Sequence, residues 1–122
     1  MTPPLIELKH VYRTFEVNRQ PLPVLQDINL SIQPNDIICL VGESGCGKTT
    51  TGKILAGLLS ASAGEVLIEG RPRASFTGRE ATQLRRALQI VHQDPFASIN
   101  PAHTIGQIIG FPLQRHSMVK SR

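Results

Sequence analysis

Apolar residues recur along this chain in three rhythms, and each rhythm predicts a different element. From Leu5 to Val11, and again from Val24 to Ile32, apolar and polar positions alternate, cleanly after Leu25, as a strand with one buried face requires. Between them, Asn18 to Pro23 holds two prolines and predicts a loop, and Pro34-Asn35-Asp36 predicts a turn. Ile37-Ile38-Cys39-Leu40-Val41 is unbroken apolar sequence, the pattern of a parallel strand buried on both faces. From Thr50 to Leu59 the spacing changes again. Ile54, Leu55, Leu58 and Leu59 fall on one helical face, and Ser60-Ala61-Ser62-Ala63-Gly64 ends the helix in a loop.

The second half predicts shorter elements. Glu65 to Gly70 forms a strand closed by a glycine turn. Thr77-Gly78-Arg79-Glu80 has capping-box form and opens a helix to about Ala87. Leu88 to His92 then predicts a strand, stopped by Asp94-Pro95. A second capping box, Thr104-Ile105-Gly106-Gln107, opens a short helix with Ile105, Ile108 and Ile109 on one face, which Pro112 closes. The polar, basic end from Gln114 to Arg122 is expected to fray.

Between the apolar run and the first helix, Gly42-Glu43-Ser44-Gly45-Cys46-Gly47-Lys48-Thr49 fits the pattern G-x-x-x-x-G-K-[ST] at every defined position. Glycines at this spacing let the backbone curl so that successive N–H groups point at phosphate oxygens. Lys48 can reach β- and γ-phosphates, and the Thr49 hydroxyl is placed to ligate Mg²⁺. The helix that follows adds its positive dipole end, with Thr50 in its first turn. Strand, glycine loop and helix occur in the order this site needs. The fold class expected is therefore α/β: a P-loop core behind an antiparallel N-terminal β region.

Composition narrows the partners. The 122 residues give room for one modest domain, and 40% hydrophobic content supports a core. The net charge is +4, but Arg71, Arg73, Arg79, Arg85 and Arg86 are interleaved with other residues and aromatics are only 4%. That favours a solvated helix face over a nucleic-acid surface. Cys39 falls in the apolar run and Cys46 in the glycine loop, where reduced thiols and a cytosolic setting are expected. Met1 to Leu5 lacks the form of a signal peptide, and no apolar run reaches membrane-spanning length, so membrane association is expected only through a partner.

The order of these pieces resembles the ATP-binding subunit of ABC transporters. An aromatic residue upstream of the phosphate loop stacks on adenine in that family. Phe15 matches the position best, with Tyr12 as a competitor. Ser62 to Gly70 looks like the family's hairpin after the first helix. His92-Gln93-Asp94-Pro95-Phe96-Ala97-Ser98-Ile99-Asn100-Pro101 is similar to the glutamine loop of the oligopeptide, dipeptide and nickel importers, although His92 replaces the usual aromatic residue. The resemblance implies that Gln93 meets Mg²⁺ and that its loop faces a membrane-spanning permease subunit. It also implies a second ATP-binding subunit, as a homo- or heterodimer, and a peripheral place on the cytoplasmic side of the inner membrane.

The likeness runs from Leu5 to about Leu113 and covers the first half of the family domain. Three regions follow from it: 1–36 as antiparallel β, 37–92 as nucleotide-binding core, and 93–122 as glutamine loop and start of a helical subdomain. The sequence after Gln93 contains no L-S-G-G-Q signature, no apolar strand ending in Asp-Glu and no switch histidine. The expectation is a partial chain that grips phosphate, assigns no catalytic residue and does not hydrolyse ATP alone. Without neighbouring strands, Ile37 to Val41 would expose apolar faces and unpaired backbone, so the chain is expected to associate. A truncated product that only binds nucleotide, or does nothing, is the alternative. A small P-loop kinase fits less well, because the antiparallel segment from Leu5 to Ile32 precedes the phosphate-loop strand, and no N-K-x-D motif supports a GTPase.

Overall fold

Asn18 and Arg19 both take positive φ (53° and 61°), which turns the chain in two residues and joins β1 (Ile6–Val17) to β2 (Gln20–Ile32) as a long hairpin. The loop expected over Asn18 to Pro23 is thus reduced to its first two residues. Pro21 and Pro23 are accommodated because β2 is an edge strand, where a residue without an N–H can face away from its neighbour. The computed structural model describes residues 2–120 of the chain. It divides between Gln89 and Ile90 into two compact units.

In the first unit the sheet order is β2-β1-β3-β4, all antiparallel, with β3 (Ala63–Ile68) along β1 and β4 (Arg71–Pro72) following a Glu69-Gly70 turn. The β1–β2 ladder is broken by register shifts between Leu8 and Val11, around which His10 (φ 47°) and Asp27 (φ 53°) take left-handed conformations. The break has a purpose in packing: it lets Leu8 and Val11, an odd number of residues apart, both face the core at 1% and 0% exposure. Side chains secure it. The His10 amide donates to Asn29 Oδ1 at 2.9 Å, and His10 Nδ1 lies 2.6 Å from Asp27 Oδ1. Helix α1 (Lys48–Ala56) lies against this sheet, with Ile54 joining Leu8, Val11 and Leu25 in the buried cluster.

A single 3-10 turn, Arg73–Ser75, leads to α2 (Gly78–Ala87). Thr77 occupies the N-cap position without making the side-chain bond that the sequence predicts. Glu80, the residue that would complete the box, is drawn instead to Arg71, 3.3 Å away through both oxygens. The second unit holds α3 (Pro95–Ser98) and α4 (Ile105–Arg115). Here the expected capping box forms in full: Gln107 N–H donates to Thr104 Oγ1 at 3.2 Å, and Thr104 N–H donates to Gln107 Oε1 at 2.8 Å. Pro112 does not close α4. It forfeits one N–H, yet the next turn continues with His116 N–H donating to the Pro112 carbonyl. Ser121 and Arg122, at the end expected to fray, lie outside the described residues.

Two expected strands do not form. Ile37 to Val41 is extended chain without ladder partners, with Ile37 99% and Val41 89% exposed, and Cys39 is exposed with it. Leu88 to His92 is likewise irregular, and Val91 is 97% exposed. A parallel strand exists only through hydrogen bonds to neighbours, and among the described residues no segment supplies them to either run. No helix among the described residues is long and apolar enough to cross a membrane.

Candidate phosphate-binding site

The glycine loop runs into α1 through Gly47, whose φ of 98° belongs to the left-handed region. A Cβ there would stand 2.6 Å from Leu25 Cδ2 and 3.3 Å from the Val24 carbonyl oxygen. Glycine is therefore required twice, by conformation and by the closeness of β2. This contact seats the loop on the sheet. The first helical hydrogen bond is Thr51 N–H to the Gly47 carbonyl at 2.9 Å, and the buried Thr51 hydroxyl donates to the same oxygen at 2.9 Å.

Helix geometry then leaves the amides of Lys48, Thr49 and Thr50 without carbonyls four residues behind them inside the helix. No acidic side chain occupies that first turn, and Gly47 offers no side-chain cap. The result is a set of N–H donors at the positive end of a helix, with nothing anionic from the first turn to neutralise it.

Lys48 closes the loop from the other side. Its ammonium donates to the carbonyl oxygens of Gly42 and, at 2.7 Å, of Glu43, and lies 3.5 Å from Cys46 Sγ. The Cys46 thiol packs against Gly42, where a Cβ would come within 2.6 Å of the sulfur. Cys46 N–H bonds the Glu43 carbonyl at 3.3 Å, and Gly45 turns the loop tip with φ 83°. Glu43, Ser44, Gly45, Cys46 and Thr49 are all exposed. Of the sequence-predicted loop residues Gly42 to Thr50, the Lys48 ammonium thus draws together Gly42, Glu43 and Cys46.

Phe15 and Tyr12 part company in the sheet. Val11, Arg13 and Phe15 share the face that packs on α1, as alternation along β1 dictates, and Tyr12 lies on the other. The Arg13 guanidinium covers one face of the Phe15 ring at 4.6 Å from its centroid and donates to the Ser60 carbonyl just after α1 at 2.9 Å. Gln93 belongs to the second unit. It is exposed and directly precedes Asp94, whose carboxylate caps α3 by accepting from Phe96 N–H and Ala97 N–H. Among the described residues no three His, Cys, Asp or Glu side chains gather as a metal site.

Sequence reasoning missed two supports of the glycine loop, Thr51 and Leu25, and the arginine over Phe15, Arg13. A signal existed for two. A threonine four residues after the loop glycine can bond back to its carbonyl, and an arginine two residues before an aromatic shares its strand face. The partnership of Leu25 with Gly47 depends on tertiary packing and had none. An apolar cavity of about 500 Å³ lies at the far end of α1, lined in part by Leu58, Leu59, Val66 and Arg73. It is a poor phosphate site, since Arg73 Nη1 already donates to the carbonyls of Ile54 and Leu55 and burial lowers the pKa of its guanidinium.

A sequence model of the family described as ABC transporter matches residues 25–120. The chain belongs to that family. Among its relatives, the oligopeptide transport ATP-binding protein OppF of Bacillus subtilis is 36% identical over the whole chain, which covers 40% of that protein. A probable peptide ABC transporter ATP-binding protein of Sinorhizobium fredii is 37% identical over 88% of this chain and 31% of its own length. The chain therefore spans about a third to two-fifths of these relatives. The dimeric structure of a bacterial ABC transporter cassette matches 96% of this chain and 49% of its own with a TM-score of 0.74 at 26% identity. A cassette dimer in a post-hydrolysis state, bound to ADP and Pi, matches 66% of this chain and 35% of its own at 30% identity, with a TM-score of 0.59. The fold class expected from the sequence, a partial P-loop core behind an antiparallel β region, is the one these neighbours share.

Proposed function

We propose that this chain is the N-terminal part of the ATP-binding subunit of a peptide importer, and that its loop from Gly42 to Thr50 holds the triphosphate of ATP. The observation that carries the reading is the run of α1 first-turn amides left without helical partners beside the Lys48 ammonium. Mg²⁺ fits the donor set in part: the Thr49 hydroxyl is exposed at the loop mouth, and Gln93 is assigned the second contact by family resemblance. Bound ATP with Mg²⁺ supplies the free energy that closes two ATP-binding subunits. This chain's own residues bind and orient it.

Relatives named for peptide transport, together with the His92 to Pro101 decapeptide, favour peptides over nickel as the cargo class. Membrane-spanning permease subunits and a second ATP-binding subunit are the partners this reading requires, at the cytoplasmic face of the membrane. Dimeric cassettes among the structural neighbours support the second.

Calorimetric titration of ATP with Mg²⁺ into the chain and its Lys48→Ala variant tests the core of the proposal. Loss of one charge-assisted contact of about 2 kcal/mol weakens binding about thirtyfold. Equal affinity in the two proteins would refute it.

A further inference from the structure

We infer that Arg13 is a positioning residue for the nucleobase: it backs one face of the Phe15 ring and ties that ring to the segment that follows the helix carrying the phosphate loop. The inference rests on the reading that Phe15, rather than Tyr12, stacks on the base. Only Phe15 shares the α1-facing side of β1 with Val11 and Arg13.

A half-buried aromatic on a strand is free to turn unless something holds its plane. Here the guanidinium lies 4.6 Å from the ring centroid and covers one π face, so the inference assigns the base to the opposite face. The guanidinium is itself fixed, because its Nη1 donates to the Ser60 carbonyl at 2.9 Å. Its Nε is buried and, among the described residues, finds no hydrogen-bond partner. A cation drawn partly out of water interacts more strongly with an aromatic face than a hydrated one. One residue further on, Thr14 N–H donates to Ser62 Oγ at 3.1 Å, so the strand is anchored to the same segment by a second bond.

These ties have a geometric consequence. Ser60 to Ser62 begins four residues beyond Ala56, the last residue of α1, while the phosphate loop leads into its N-terminal end. Base and triphosphate are separated by a fixed span within one nucleotide, so their two protein sites must keep a fixed separation. Arg13 fixes it by referring Phe15 to the segment that follows α1. Preorganisation of this kind improves affinity without adding a contact to the ligand.

The test compares ATP with inorganic tripolyphosphate, which lacks a base, by calorimetry on the full chain. Phe15→Ala should weaken ATP about tenfold and Arg13→Ala about threefold, both leaving tripolyphosphate affinity unchanged. The Phe15→Ala/Arg13→Ala double variant should be no weaker than Phe15→Ala alone. Arg13→Met, which keeps the apolar stem, should match Arg13→Ala, whereas Arg13→Lys should recover part of the loss. Tripolyphosphate binding in each variant reports that the loop is folded. Equal weakening of both ligands by Arg13→Ala would show a merely structural arginine and overturn the inference. So would unchanged ATP affinity in Arg13→Ala when Phe15→Ala weakens it, although base stacking would stand. No effect of Phe15→Ala would remove the stacking reading and the inference together.

Discussion

Replacing Gly47 by alanine adds two costs together, which comparison with Gly45 separates. At Gly47 the backbone has φ 98°, and a Cβ would lie 2.6 Å from Leu25 Cδ2 and 3.3 Å from the Val24 carbonyl. At Gly45 the backbone is similarly left-handed, with φ 83°, but nothing lies within 4 Å of a Cβ. A non-glycine residue in that region costs about 1–2 kcal/mol. Overpacking at Gly47 adds about 1–3 kcal/mol, because Leu25 is itself only 2% exposed and has little room to retreat. Gly47→Ala should therefore destabilise by about 2–5 kcal/mol and Gly45→Ala by about 1–2 kcal/mol. Urea unfolding followed by far-UV circular dichroism, extrapolated linearly, measures both. Equal destabilisation of the two variants would refute the claim that the loop is seated by contact with β2.

Asp27 gives the fold an acid limit. The hydrogen bond from His10, reinforced by Asn29, holds its carboxyl below the ordinary 3.8. A depressed carboxylate contributes stability that is present above its unfolded pKa and lost as pH falls through its folded one. Asp27→Asn should thus flatten the fall of the urea midpoint below about pH 4, and an unchanged acid limb would contradict this. The exposed apolar run is expected to make the chain associate. Replacing Ile37 and Val41, 99% and 89% exposed, by lysine should reduce concentration-dependent light scattering, and unaltered scattering would place the sticky surface elsewhere.

Elements whose determinants are local were legible in the sequence. The Thr104 to Gln107 box, the α1 register that buries Ile54, and the alternation from Ile28 to Ile32 all involve residues within a turn or two of one another, whereas between Leu25 and Ile28 the expected alternation is interrupted at Asp27. The glycine turn that enters α1 was legible for the same reason: two of its glycines answer to positive φ values at Gly45 and Gly47. What failed depended on partners far along the chain or outside the pattern. Glu80 chose Arg71 over the backbone beside it. The odd spacing of Leu8 and Val11 made sense only once His10 and Asp27 broke the ladder. Ile37 to Val41 has the composition of a buried strand, but composition supplies no hydrogen-bonding neighbour.

The contrast between that run and the loop it enters explains how a cradle persists beside an unpaired strand. Its helical side is held by the sheet, through Gly47 against Leu25 and Thr51 back to Gly47. Its opposite side, at Gly42 and Glu43, is held by the Lys48 ammonium bonding their carbonyls. On the proposed reading Lys48 therefore has two competing uses, closing the loop and meeting a phosphate. Carbonyl oxygens are neutral acceptors, whereas a phosphate oxygen carries charge and adds an ion-pair attraction to its bond with the ammonium. Exchange of one for the other favours the anion. The side of the loop that must yield is the one adjoining the unpaired run, and the side that must stay rigid is the one packed on β2.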